Sequence, residues 1–499
     1  MIKYLKDLGN PLEFWEYFYE ISKIPHCSGH EGQLRLFIQK EAEKLGYETK
    51  TDKVNNLVIK IPSNPSEKDV VVITLQSHMD MVCEKNDDII HDFSTDPLDL
   101  EIIKIKNENW ITAKGTTLGA DNAVGMAYQL AIMRKIYKKE LDLGPISLNL
   151  LFTVDEERGL TGASQIDKDL INGPYMINLD SEGDNKFTIG AAGGRVFEVK
   201  LLLEKSIHDQ DDLVPITLSI TGLTGGHSGV DIDKGRANAL NLLSQILWKL
   251  NNNYKIHLIS LSGGNLDNAI PREAEALFFI KKTTFSEINE LIEHTSLHIK
   301  MLYGNIEPNI KIDINQVDTS NEFSTFSEDI QNRLLELLFL MKNGPIYLHP
   351  TNKELVHTSS NFASIKTEES FLKFVISQRS LTQYDLDVIF NQFQTLFKMS
   401  GLKFMTDIKY EYPSWTPNFN SKLSMLAAES YKELFNSDVI IHAIHAGLEC
   451  AYFKYHFPQL EIISFGPTII DGHSPDERLK ISSVEKIWNL LINLLVKLV

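Results

Sequence analysis

Three short apolar segments in the first 190 residues run directly into histidine or acidic residues, and this repeated pattern constrains the fold most. Short β-branched or apolar runs of this kind predict buried strands. The segments are 70–75, 146–152 and 175–179, and the polar residues after them are His78 with Asp80, Asp155 to Glu157, and Asp180 to Glu182. In open α/β sheets the ligand crevice lies beyond the carboxyl ends of the strands. The pattern therefore predicts an α/β layered domain with a site at one end of its sheet.

The chain has 499 residues, more than the roughly 250 to 300 that one hydrophobic core serves, so we expect two domains. Helical spacing at residues 12–24 and 31–45 alternates with the first strands. From residue 191 glycine-rich turns, a strand at 214–220 and a helix at 236–250 predict an α+β domain. Helix and strand patterns return after Pro413. We predict that residues 1–190 and 400–499 form one domain, into which residues 191–399 are inserted.

Charge, hydropathy and cysteine content narrow the class of protein. The formal net charge of −18 disfavours binding to nucleic acid or to an anionic membrane face. No signal-peptide pattern and no run of about 18 apolar residues occurs, so we expect a soluble, unexported protein without membrane contact. The three cysteines, Cys27, Cys83 and Cys450, are far apart and form no CxxC pair. We expect a reducing cytoplasm and buried thiols without a catalytic role.

The HxD sequence at His78 and Asp80 is the first candidate for metal chemistry. Alternation along a strand points both side chains to the same side. Zinc accepts histidine nitrogen, and a carboxylate bound to the other ring nitrogen fixes the tautomer. Taken alone, an HxD is more often an ordinary strand end whose histidine is satisfied by the backbone.

Further histidine and acidic positions strengthen the metal interpretation. Asp121 follows a glycine-rich turn before a helix, where a plain N-cap is the alternative. Three consecutive acids at Asp155 to Glu157 repel one another unless cations or shared protons intervene, or unless they form a solvated loop. His473 lies in a glycine- and proline-containing loop. Together these nitrogen and oxygen donors, without sulfur, fit a pair of divalent ions such as zinc, cobalt or manganese.

Motifs in a fixed order identify the chain as similar to the M20 family of metallopeptidases. The family-wide motifs are HMDMV, GADNAVG, DEERGLTGA, LDSEG, GLTGGHSGVDI and GPTIIDGHSPDE. The stretches GGNLDNAIPREA, HTSSNFA, SQRS and IHAGLEC resemble the aminoacyl-histidine dipeptidase branch of that family. The resemblance implies a catalytic domain with a mixed central sheet flanked by helices, and an inserted α+β lid domain.

The resemblance also implies roles for residues of the first domain. It makes Asp121 the carboxylate that bridges two zinc ions. The terminal ligands would be His78 and Asp180 at one ion, and Glu157 and His473 at the other. Glu156 would act as the general base that takes a proton from water. Asp80 would orient His78.

Roles in the lid follow from the same resemblance. His227 would stabilise the tetrahedral oxyanion. Asn268 and Arg379 would hold the terminal carboxylate of the substrate, with help from backbone N–H groups at Gly447, and His445 would line the pocket. Without the resemblance, the histidines would be structural residues, Arg379 a surface charge and Asn268 a turn residue.

These features predict an enzyme that hydrolyses dipeptides, including Xaa-His and a broader range, as a homodimer associated through the lid. The first alternative is a deacylase or another exopeptidase with the same metals but a different pocket. The second is a non-catalytic, metal-binding relative, which the presence of Glu156 disfavours because that residue supplies a base. The third is an acidic scaffold protein without bound metal.

Overall fold

The computed structural model describes residues 6–64, 67–207, 212–317 and 323–499. The chain divides into two compact units. The first unit comprises Met1–Ala191, Trp415–Ala443 and Leu448–Val499, and the second comprises Ala192–Ser414 and Ile444–Gly447. Across these described ranges, no helix combines the length and the apolar character that a membrane span requires.

Helices and strands alternate through the first part of the first unit. Its helices are α1 (Leu12–Ile21), α2 (Gly32–Lys44), α3 (Ala120–Tyr137) and α4 (Thr161–Ser164). Its strands are β1 (Glu48–Thr51), β2 (Leu57–Ile61), β3 (Val71–His78), β4 (Leu100–Ile105), β5 (Glu108–Ala113), β6 (Ile146–Thr153), β7 (Tyr175–Asn178) and β8 (Lys186–Ala191).

Strands dominate the second unit. They are β9 (Gly193–Leu202), β10 (Lys205–Ser206), β11 (Leu213–Thr221), β12 (His257–Gly263), β13 (Ala274–Lys281), β14 (Lys311–Gln316), β15 (Thr325–Phe326), β16 (Gly344–Leu348), β17 (Val356–Thr367), β18 (Phe371–Ser380) and β19 (Phe404–Tyr412). Its helices are α5 (Ala239–Tyr254), α6 (Phe285–Tyr303), α7 (Glu328–Leu340) and α8 (Gln383–Met399).

The carboxyl-terminal segment returns to the first unit. Its helices are α9 (Lys422–Phe435), α10 (Glu449–His456) and α11 (Ile481–Lys497). Its strands are β20 (Ile440–Ile444), β21 (Glu461–Ser464), β22 (Ile469–Ile470) and β23 (Arg478–Lys480).

The first unit is built on a mixed sheet with strand order β1-β2-β6-β3-β7-β21-β8-β20. Its centre is parallel, because β3 pairs in parallel with both β6 and β7, and β7 pairs in parallel with β21. Helices α1, α3 and α11 pack together through Phe14, Tyr128 and Trp488, whose rings are stacked or tilted against one another. The predicted α/β class with a mixed, helix-flanked sheet is confirmed.

The second unit contains an antiparallel sheet with strand order β14-β11-β13-β12-β17-β18-β9-β19, with β16 paired to β17. The apolar faces of α5, α7 and α8 pack into its core through residues such as Leu243, Leu334 and Phe393. This is the α+β arrangement predicted for the inserted region.

The predicted domain boundary at residue 400 is placed differently by the structure, which assigns residues up to Ser414 to the second unit. Strand β19 pairs antiparallel with β9, so its backbone belongs to the sheet of that unit. The segment Ile444–Gly447, predicted within the first domain, is also part of the second unit. Strand β19 is not marked by a local pattern, because its assignment depends on backbone pairing with distant residues.

The expectation that Cys83 is a free buried thiol is wrong. Cys27 and Cys83 form a disulfide across 56 residues of sequence. The backbone at Cys27 runs beside Met81 as an isolated parallel bridge, with hydrogen bonds from Met81 N to His26 O and from Ser28 N to Met81 O. Cys450 is buried and free, as predicted.

Candidate functional site

The parallel centre of the first-unit sheet brings the predicted site residues to one end. In the register of β3 with its neighbours, His78 lies opposite Thr153 and Gln76 opposite Asn178. The acidic residues that follow β6 and β7 therefore begin at the level of His78. This arrangement is why three segments far apart in sequence contribute to a single cluster.

Asp121 lies between two histidines. Its Oδ1 is 2.9 Å from Nε2 of His78, and its Oδ2 is 3.2 Å from Nε2 of His473. His78 Nε2 is also 3.2 Å from Oδ1 of Asp180, and His473 Nε2 is 3.1 Å from Oε1 of Glu157. One carboxylate thus serves two separate sets of donors.

The five residues form two candidate cation sites that share Asp121. His78, Asp121 and Asp180 form one group, and Asp121, Glu157 and His473 the other, with the ligand atoms of each group within 4.8 Å of one another. All donors are nitrogen or oxygen, the set that zinc, cobalt and manganese accept. The buried Oε1 of Glu157 lies 3.1 Å from Nε2 of His473, and an ion bound by both atoms would suit this pair.

The charges of this cluster are unbalanced without cations. Burial, with Asp121 and Glu449 nearby, raises the pKa of Asp180 well above its usual range. Burial also raises the pKa of Glu156, with Asp180 and Glu157 adding to the effect. Hydrogen bonds to Asp121 and Glu157 raise the pKa of His473 to about 11. Divalent cations at these positions would stabilise the ionised carboxylates and neutral imidazoles.

The loop that carries Asp121 is held by a carboxylate from the carboxyl-terminal segment. Glu477 Oε2 accepts hydrogen bonds from the backbone N–H groups of Leu118 and Gly119, at 2.8 and 2.9 Å. Its Oε1 accepts from Ala120 at 2.8 Å and from Asp121 at 3.3 Å. Glu477 is 2% exposed, so these bonds are shielded from water and fix the backbone beneath Asp121.

The carboxylate of Asp80 makes other contacts than the one to His78 that the sequence predicted. The closest acceptor to Nδ1 of His78 is the backbone carbonyl of Asp80 at 2.9 Å, whereas the carboxylate Oδ1 is 3.5 Å away. The carboxylate instead accepts from the backbone N–H groups of Glu156 and Glu157, and from the hydroxyl of Ser28. Asp80 therefore orients His78 through its main chain and holds the Glu156–Glu157 turn through its side chain.

Two further buried side chains, those of Asn122 and Glu449, make hydrogen bonds next to the candidate ligands. Asn122 donates to Oδ1 of Asp180 at 2.7 Å and accepts from the backbone N–H of Gly125. Glu449 is fully buried and accepts from Gln76 and Thr153, at 2.6 and 2.8 Å. Glu449 is thus committed to the strands beneath the site.

His227 and Arg379, predicted from the lid motifs, lie together in the second unit. His227 Nδ1 accepts hydrogen bonds from the backbone N–H groups of Gly229 and Val230, so in the neutral ring the proton is on Nε2. Burial and the Arg379 charge lower the pKa of His227 to about 4. Nε2 of His227 lies 3.5 Å from Nη2 of Arg379. Both atoms are donors, so the pair is suited to bind a shared acceptor.

The guanidinium of Arg379 is hydrogen-bonded unevenly among the described residues. Its Nη1 donates to the hydroxyl of Tyr412, while its buried Nε has no hydrogen-bond partner among the described residues. Nε and Nη2 form the edge that binds a carboxylate through two parallel bonds. Arg379 is only 6% exposed, so it is not the surface charge that the sequence alone would suggest.

Three more residues that were predicted to bind substrate also lie in the second unit. They are His445, Asn268 and Gly447. His445 is buried, and its Nε2 lies 2.7 Å from the hydroxyl of Ser359. Asn268 is exposed, and its backbone carbonyl accepts from Ser228 N in the loop that carries His227. Gly447 lies half-buried in the segment that carries His445.

Sequence analysis missed the supporting residues Glu477, Asn122 and Ser28. Two of them lie inside motifs that were recognised, because Glu477 ends the HSPDE stretch and Asn122 follows Asp121 within GADNAVG. A buried charged residue within a ligand motif was the available signal, since such groups need several partners. Their partners, however, are set by the tertiary fold.

The chain is similar to known peptidases over nearly its whole length. The model of peptidase family M20/M25/M40 matches residues 74–497. The chain is 34% identical to the cytosol non-specific dipeptidase of Escherichia coli over 491 residues, which cover 97% of each chain. It is also similar to the crystal structure of aminoacylhistidine dipeptidase from Vibrio alginolyticus, with a TM-score of 0.87, 33% identity, and coverage of 97% of this chain and 96% of that one. A tripeptidase from Staphylococcus aureus, with a TM-score of 0.55 and 15% identity over 97% of each chain, shares the fold.

Proposed function

The chain belongs to peptidase family M20/M25/M40 and is a hydrolase of peptide bonds, and on this premise we propose that it is a two-metal dipeptidase of broad range that includes Xaa-His substrates. The observation that carries the proposal is the position of Asp121, whose two oxygens face two histidines in separate donor groups. Two relatives that cover nearly the whole chain are named as dipeptidases.

The proposed ligands are His78 and Asp180 for one ion, Glu157 and His473 for the other, and Asp121 for both. Two zinc ions, or cobalt or manganese in their place, would supply an acidified water and polarise the scissile carbonyl. These residues offer nitrogen and oxygen donors only, and their unbalanced negative charge favours cations over an apolar ligand.

Glu156 is the proposed general base. Its backbone N–H is held by Asp80 at 2.9 Å, which fixes the turn on which it lies. The burial that raises its pKa also makes its carboxylate a better proton acceptor. It takes a proton from the attacking water and gives that proton to the leaving amine nitrogen as the peptide bond breaks.

The donors of the second unit are proposed to bind the negative charges of the substrate. Nε2–H of His227 suits the oxyanion that forms at the scissile carbonyl, since a neutral donor next to Arg379 favours an anion. The open Nε and Nη2 edge of Arg379 suits the terminal carboxylate of the dipeptide, with Asn268 and backbone N–H groups at Gly447 assisting. His445 would line this pocket.

We place the enzyme in the cytoplasm and expect it to form a homodimer through the second unit. The localisation rests on the name of the Escherichia coli relative, which is called a cytosol dipeptidase. The dimer rests on the family resemblance. Sedimentation at micromolar concentration tests it, and a purely monomeric protein would contradict it.

Hydrolysis of Ala-His, Gly-Leu, a tripeptide and an N-acetyl amino acid tests the function, with metal content measured on wild type and Glu156→Gln. We expect both dipeptides to be cleaved by the metal-loaded wild type. In Glu156→Gln, kcat should fall about 10²- to 10⁴-fold with metal retained. Cleavage of the acetylated compound alone would indicate a deacylase, and no cleavage of any compound would favour a metal-binding relative without catalysis.

A further inference from the structure

The carboxylates around the candidate metal site fall into groups according to the partners that they already have. Three face the histidines as ligand candidates and one is the proposed base. Three others accept hydrogen bonds from backbone or side-chain donors of the first unit. These seven are Asp121, Glu157, Asp180, Glu156, Asp80, Glu449 and Glu477. One neighbouring carboxylate, that of Glu182, belongs to none of these groups.

Glu182 lies beside the cluster and its side chain is exposed. It follows the candidate ligand Asp180 by two residues, and it interacts electrostatically with Asp121, Glu157 and His473. A Cβ added to Gly472 would lie 2.9 Å from Oε1 of Glu182, so the carboxylate lies over the backbone next to His473. Within the described ranges, its carboxylate makes no hydrogen bond and no ion pair.

A dipeptide presents a positive charge close to the bond that is cleaved. Its ammonium nitrogen and its scissile carbonyl carbon are both bonded to the same α-carbon, so they are about 2.5 Å apart by standard backbone geometry. Any group that binds this ammonium must therefore flank the metal ligands. Next to two divalent cations, the ammonium would be repelled unless a carboxylate without another partner offset its charge.

We propose that Glu182 binds the α-ammonium group of the substrate and so selects substrates with an unblocked amino terminus. The assignment rests on the proposed dipeptidase function and deepens it. It explains how a site that could cleave any amide distinguishes a dipeptide from an N-acylated amino acid. Gly472 contributes because a side chain at that position would displace the Glu182 carboxylate.

The test compares Ala-Leu with propionyl-Leu, in which a hydrogen replaces the ammonium group and the rest of the molecule is the same. The proteins are wild type, Glu182→Gln and the control Asp476→Asn, which removes a charge from the exposed loop that carries His473. In Glu182→Gln, kcat/KM for Ala-Leu should fall about 10- to 100-fold, as expected for loss of a charge-assisted hydrogen bond. The value for propionyl-Leu and the metal content should stay unchanged, and Asp476→Asn should behave like wild type.

Two results would overturn the assignment of Glu182 while leaving the dipeptidase function intact. In one, Glu182→Gln slows both compounds equally, which would show that the residue acts on the metal site as a whole. In the other, Glu182→Gln retains the full wild-type preference for Ala-Leu. A wild-type enzyme that prefers propionyl-Leu would instead overturn the dipeptidase function together with the assignment.

Discussion

The two units place histidines in opposite electrostatic surroundings. In the first unit, His78 and His473 lie among carboxylates. Burial alone would lower the pKa of His78, but Asp180 and Asp121 raise it well above its usual range. In the second unit, burial and then Arg379 lower the pKa of both His227 and His445.

Histidine is therefore part of two kinds of cluster. The cluster of the first unit is suited to cations, and the cluster of the second unit is suited to anions. Carboxylates in excess over histidines leave the first cluster in need of positive charge. Neutral histidines and a buried arginine leave the second with donors that lack acceptors among the residues that the structure describes.

The largest effect is expected from removing the carboxylate of Asp121, which the two candidate cation sites of the first unit share. Asp121→Asn should lower activity at least about 10³-fold, because several kcal/mol of transition-state stabilisation depend on both ions. Metal analysis should show fewer than two bound ions per chain. The control Asp169→Asn changes an exposed carboxylate of the same unit and should keep full activity and metal content. Full occupancy in Asp121→Asn would contradict the bridging role.

Removing the charge of the second cluster should affect substrate binding rather than metal content. Arg379→Met should raise KM for dipeptides about 10²-fold, because two charge-assisted hydrogen bonds to the terminal carboxylate are lost. Dipeptide amides, which lack that carboxylate, should lose little. Arg333→Met removes an exposed arginine that pairs with Asp329 on α7, and it serves as the control. Equal losses with acids and amides would exclude carboxylate recognition by Arg379.

A variant of Glu477 tests how much the hydrogen bonds of this residue to the Asp121 loop contribute to metal affinity. Glu477→Gln keeps the shape but exchanges one acceptor oxygen for a donor, which opposes the backbone N–H groups of residues 118–121. Metal affinity, measured by chelator competition, should fall about 10- to 100-fold, as for other residues that orient ligands. Excess metal should restore part of kcat/KM. Glu485→Gln on α11 is the control, and unchanged affinity in Glu477→Gln would show that the loop holds its position unaided.

Much of the fold follows from local patterns. Strands β3, β6 and β7 were predicted close to their observed bounds, because buried strands are continuous apolar runs. Strand β19 was missed because most of its residues are exposed and include charged ones, so its apolar periodicity is weak. Its place in the sheet depends on backbone bonds to β9, more than 200 residues earlier. The domain boundary shifted for the same reason.

The candidate site divides in a similar way. Its proposed ligands could be named from motifs, because each lies at a strand end or a glycine-bounded turn. The residues that support them could not, since Glu477 and Asp121 are 356 residues apart in sequence. The same limit applies to Asp80, whose carboxylate bonds to a turn 76 residues away. Motifs therefore identify the chemical groups, whereas the precision of their placement comes from tertiary contacts.

The smallest predicted effect concerns His445, whose pKa is lowered from 6.5 to about 3 by burial and by Arg379. Because the unfolded chain binds this proton and the folded chain does not, stability falls as pH drops from above 6.5 toward 3. Between pH 8 and pH 6 this residue costs about 1 kcal/mol. His445→Gln should lose that much less stability over the same interval in denaturant unfolding, with His298→Gln on α6 as the control. Equal pH dependence in His445→Gln and wild type would mean that folding does not lower the pKa of this ring, and the contrast between the two clusters would fail.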